Sequence, residues 1–72
     1  MGSKYPILKP SEVTKGLEHF GFTFVSQKGS HMKYACNGKT VIIPNHSEVA
    51  KGTLKSILKM AQIDLDDFLE IL

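Results

Sequence analysis

Apolar and polar positions recur at two different periods along this chain. Between Ser11 and Phe20, the residues Val13, Leu17 and Phe20 fall at helical spacing, which predicts a short surface helix with one apolar stripe. Ser11 after Pro10 reads as its N-cap, Glu12 suits its first turn, and Gly21 reads as its terminator. From Phe22 to Gln27 aromatic and β-branched residues predict a strand, and Lys28-Gly29-Ser30 a turn. From His31 polar and apolar residues alternate until Ala35. Asn37-Gly38 is the pair a type I′ hairpin turn favours, and the run Val41-Ile42-Ile43 follows it until Pro44, which cannot donate to a ladder.

That hairpin sets which side chains share a face. With Asn37 and Gly38 as a two-residue loop, Cys36 opposes Lys39, Tyr34 opposes Val41 and Met32 opposes Ile43 on one side. Lys33 then opposes Ile42, and His31 opposes Pro44, on the other. The first side is the natural core, where Phe22, Phe24 and Tyr34 supply aromatic bulk. The second leaves His31 and Lys33 together on a face that helices need not cover.

From Val49 to Ala61 the period returns to that of a helix, with Leu54, Ile57, Leu58 and Ala61 on one stripe and Lys51, Lys55 and Lys59 on another. Gly52 allows a start near Ser47 or only at Thr53. Asp64 is placed to cap a last short helix containing Phe68, Leu69 and Leu72. The order predicts an α+β fold: a three-stranded antiparallel sheet with helices packed on one face, α-β-β-β-α plus a short C-terminal helix. A chain of 72 residues holds one domain, residues 1–72, with residues 1–6 as a flexible lead and Gly2-Ser3 as a cloning remnant.

Composition narrows the function. With 42% apolar and 22% charged residues the chain is ordinary globular material, and no apolar run is long enough to span a membrane. The first ten residues carry no hydrophobic targeting stretch, and a single cysteine, Cys36, fits a reducing cytoplasm. One Cys and three scattered His give no metal-ligand spacing, so neither metal nor cofactor is expected. The net charge of +2 hides an uneven distribution. Residues 1–59 set nine lysines against Glu12, Glu18 and Glu48, a net +6, while Asp64, Asp66, Asp67 and Glu70 make the tail −4. A basic body without arginine suits diffuse contact with a polyanion better than bidentate reading of base edges.

Histidine is the side chain that exchanges a proton most readily near neutrality. His31 follows the Gly29-Ser30 bend, two residues whose amides could be presented to a phosphate oxygen, and Lys28 and Lys33 flank it. An exposed strand histidine needs no function. The same residue beside a bend and two lysines is also a minimal apparatus for RNA cleavage, in which the ribose 2′-hydroxyl is already next to the phosphate. A leaving-group acid is not singled out: it is a lysine or another histidine. His46, after Pro44-Asn45, either faces the substrate or only turns the chain. Lys51 and Lys55 either follow a phosphate backbone or keep a helix soluble.

The series Gly21-Phe22 through Val25, Gln27-Lys28-Gly29-Ser30-His31, Tyr34, Val41-Ile42-Ile43-Pro44, His46, Lys51-Gly52-Thr53-Leu54, Ser56-Ile57-Leu58 and Phe68 resembles the HicA, or YcfA-like, toxins of toxin–antitoxin systems. The resemblance spans about residues 12–69 in the family's order and spacing. It implies a double-stranded-RNA-binding-domain-like fold, an mRNA-cleaving activity that inhibits growth, and a cognate HicB-type antitoxin as partner. The family's catalytic histidine falls on His31, with Gly29 and Ser30 shaping its approach. Met32 stands where the family often has another histidine, and the segment around Asp64 lacks the glycine-containing turn common there. Two other readings use the same surface: a non-catalytic RNA-binding module, and a protein-interaction domain.

Overall fold

Two tight turns dictate the sheet. The computed structural model describes residues 5–72; the reading of Gly2-Ser3 lies outside them. Strands β1 (Thr23–Lys28), β2 (His31–Cys36) and β3 (Lys39–Pro44) form an antiparallel meander with β2 in the centre. Between β2 and β3, Asn37 and Gly38 both take positive φ, 48° and 81°, as a type I′ turn requires. The resulting pairs are those expected: Cys36 with Lys39, Tyr34 with Val41, Lys33 with Ile42 and His31 with Pro44. Between β1 and β2 only Gly29 of the two turn residues has positive φ, the pattern of a type II′ turn, and Lys28 pairs with His31.

Helices α1 (Pro10–His19), α2 (Lys51–Ala61) and α3 (Leu65–Glu70) complete the expected α-β-β-β-α order with its short last helix. They bury Val13, Leu17, Leu54, Ile57, Leu58, Leu65 and Phe68 against Tyr34, Val41 and Ile43 of the sheet. Among the described residues no polar or charged residue is buried in the core. Apolar burial of roughly 1.5–3 kcal/mol per large side chain is therefore its source of stability. No helix among the described residues is long and apolar enough to cross a membrane.

Several boundaries differ from the sequence reading. The N-cap of α1 is Lys9, not Ser11: Pro10 occupies the first helical position, and the Glu12 carboxylate accepts a hydrogen bond from the Lys9 amide at 2.8 Å. Helix α1 does end as Gly21 suggested. The Phe22 amide donates to the Leu17 carbonyl and the Gly21 amide to Glu18, both at 3.0 Å, which is a Schellman closure. Helix α2 starts at Lys51, between the two expected positions. Leu72 lies beyond α3 and is 49% exposed. Tyr5 is half-buried against the core, and Leu8 bridges to Val49, so residues from Tyr5 onward are part of the packed body. Phe24 contributes no core bulk: β1 is an edge strand that the helices leave uncovered, and Phe24 is 53% exposed.

Helix α2 closes on Gln62 in the left-handed region, φ 59°, where the Ile63 amide reaches back to the Leu58 carbonyl. A side chain with a Cβ is strained there, and glycine is not. Gln62→Gly is expected to stabilise the fold by about 0.5–1 kcal/mol, the strain relief being partly offset by greater freedom in the unfolded chain. A thermal midpoint unchanged or lowered by this substitution would contradict that assignment of strain.

Candidate active site on the open sheet face

The two hairpins bring four polar side chains to the face that no helix covers. Lys28 pairs with His31, Ser26 with Lys33, and Lys33 in turn with Ile42. Together Ser26, Lys28, His31, Lys33 and Ile42 line a groove of about 310 Å³. His31 is exposed at the start of the central strand, paired with Lys28 on one side and opposite Pro44 on the other, so its position is fixed while its side chain remains accessible. No carboxylate lines the groove. Two ammonium groups without an acid beside them make it attractive to an anion.

The bend before His31 is pinned at both residues. The Gln27 side-chain amide donates to the Gly29 carbonyl at 2.9 Å, and the Asn45 amide donates to the Ser30 carbonyl. Among the described residues neither the Gly29 nor the Ser30 amide meets a carbonyl acceptor, which leaves both available to an incoming oxygen. The Asn45 bond also ties the loop after β3 to this bend. His46, the next residue, is exposed and lies at the same end of the sheet as His31.

The other expected residues lie elsewhere. Lys51 and Lys55 are exposed on α2, in the helical layer, and Lys55 lines a separate hollow with Tyr5, Lys59 and Asp64. Cys36 is half-buried on the helix-facing side at the opposite end of β2. Among the described residues no three His, Cys, Asp or Glu side chains gather into a metal-binding group. Ser26 and Ile42 belong to the groove and were not singled out from the sequence. Treating Gly29-Ser30 as a two-residue loop, by the same counting used for Asn37-Gly38, places Ser26 beside Lys33.

Beneath the groove, Tyr34 anchors the sheet to α1. Burial raises its phenol above the ordinary value; a hydrogen bond with Thr14 opposes the shift, and the charge and hydrogen bonding of Glu18 reinforce it. A raised folded value means that the stabilisation is complete below the unfolded phenol value of about 10 and fades as pH rises through the folded one. Unfolding midpoints should therefore fall above about pH 10, and Tyr34→Phe should make that fall shallower. Parallel alkaline titrations of both proteins check this.

Comparison with known proteins gives this arrangement a context. Residues 10–63 match the family described as HicA toxin of bacterial toxin-antitoxin. A curated relative, the probable mRNA interferase HicA of Pseudomonas fluorescens (strain Pf0-1), is 40% identical over 62 residues, covering 83% of this chain and all of the relative. By both measures, the chain with its lysine-flanked histidine on an open sheet belongs to the HicA toxin family.

Proposed function

We propose that the protein is an endoribonuclease toxin that cleaves mRNA with His31 as general base. The observation that supports this most directly is an exposed imidazole between Lys28 and Lys33, in a groove free of carboxylates, on a relative of a probable mRNA interferase. His31 takes the proton from a ribose 2′-hydroxyl, and the freed oxygen attacks the neighbouring phosphorus. The bond to the 5′-oxygen breaks, leaving a 2′,3′-cyclic phosphate on one product. The departing oxygen takes up a proton from a lysine or a second histidine, and His46 is a candidate because its loop is tethered to the bend before His31. Lys28 and Lys33, with the Gly29 and Ser30 amides, bind the phosphate and stabilise the charge that builds on it. This scheme needs no metal. Lys51 and Lys55, in the other layer, add salt-dependent attraction for the RNA rather than contacts to the reacting atoms.

A HicB-type antitoxin acts, in this reading, by covering the open face and with it His31. One oligonucleotide experiment tests both parts. Replacing the 2′-hydroxyl by hydrogen at a single cleaved linkage should stop cutting there alone, and the early products at other linkages should carry cyclic phosphate ends. Saturating antitoxin should suppress all cutting. Continued cleavage at the deoxy linkage would remove the 2′-oxygen as nucleophile, and undiminished cleavage in the complex would remove the covering role.

A further inference from the structure

The groove at His31 does not end at Ile42. In the antiparallel pair, Ile42 is the diagonal neighbour of His31, roughly 7–8 Å along the sheet. Its side chain is 43% exposed and also forms a wall of a second hollow, of about 220 Å³, between β3 and α2. The hydroxyl-bearing residues Thr40, Thr53 and Ser56 line that hollow, together with Met60, which is 61% exposed.

We propose that this second hollow is a nucleobase subsite for the RNA strand whose phosphate lies at His31. The inference rests on the ribonuclease reading above and extends it from the reacting phosphate to the choice of a neighbouring base. No charged side chain lines the hollow, so it is not a continuation of the phosphate path. An apolar wall with a few hydroxyl groups is what a flat heterocycle requires: the wall packs against the ring, and the hydroxyls meet the donors and acceptors at its edge. The Met60 thioether is suited to such a ring because sulfur packs favourably against aromatic systems. The volume admits one base and not a helix, whose diameter is about 10 Å. Continuity through Ile42 places the base next to the scissile linkage. A base enters only when unpaired, so the site selects single-stranded RNA.

The test uses the full-length protein and a set of RNA oligonucleotides that vary each base around one cleaved linkage. Ser56→Ala and Met60→Ala are suitable because both side chains are exposed and neither touches the His31 groove. Wild type should prefer particular bases at one flanking position. Each variant should flatten that preference and lower kcat/KM on the best oligonucleotide by roughly tenfold. An abasic nucleotide at that position should bring wild type down to the rate of the variants. Equal melting midpoints would exclude a folding defect. The subsite is overturned if wild type has no flanking preference, or if the variants retain it. Variants that retain it and bind antitoxin more weakly would instead make the hollow a peptide groove. The outcome for the underlying reading is separate: RNA cleavage that survives His31→Ala defeats the ribonuclease assignment whatever these variants do.

Discussion

Replacing His31 with alanine is expected to slow RNA cleavage by about 10²–10⁴-fold, the range of a positioned general base. RNA affinity should stay within about twofold, because phosphate contacts carry most of the binding free energy and those belong to the lysines. A different signature is expected for Lys28→Ala and Lys33→Ala, in which affinity falls along with the rate. Each should weaken binding and reduce the dependence of log affinity on log salt by about 0.7 on single strands. Splitting the two effects matters because a non-catalytic RNA-binding module would share the lysine result and lack the histidine one. Rates and affinities measured at the same salt concentration separate the cases. A His31→Ala protein that binds and cuts like wild type would end the catalytic assignment.

The second large effect concerns how α3 is held. Phe68 is fully buried, and its ring lies nearly parallel to that of Phe20, 13° apart with centroids separated by 6.5 Å. It sits directly over Gly16: a Cβ on that residue would be 2.5 Å from Cε1 and 2.6 Å from Cζ of the ring. Phe68→Ala should cost about 3–5 kcal/mol, from lost transfer free energy plus a residual cavity. A chain of this length has a total stability of only about 4–11 kcal/mol, so the thermal midpoint should drop by at least about 15 °C. Gly16→Ala sets two terms against each other. Alanine improves helix propensity by about 1 kcal/mol, and forcing the ring aside costs about 1–3 kcal/mol. The clash should win. Phe68→Leu removes the two atoms that collide, so the double variant Gly16→Ala/Phe68→Leu should be more stable than the sum of its parts, as a double-mutant cycle would show. A stabilising Gly16→Ala in the presence of Phe68 would show that the ring has room to move.

These cases show which information the sequence carries locally and which it does not. Asn37-Gly38 determines turn type by its own dihedral preferences, so the β2–β3 register and the shared face of His31 and Lys33 could be counted outward from it. Gly21 marked the end of α1 for the same reason. The role of Gly16 could not be read that way, since the ring that requires it is more than fifty positions along the chain. Phe24 was misplaced although the bulge between Phe24 and Ser26 sets it opposite buried Tyr34, because nothing near it signals that β1 is an edge the helices leave uncovered. Ser11 lost the cap to Lys9 because Pro10 fits the first helical turn and Glu12 can satisfy the amide before it. At the site, His31, Lys28 and Lys33 were visible from short-range pairing. The second wall, formed by Thr53, Ser56 and Met60, depends on how α2 packs beside β3.

All the groove residues from Ser26 to Ile42 sit on one continuous meander, and α1 and α3 pack on its reverse side. Mutational drift in α1 and α3 is therefore insulated from the chemistry as long as the fold stays above its stability threshold. A lineage of such proteins can exchange much of its helical exterior while the groove is inherited intact, and an engineer can harden the scaffold without retuning the blade.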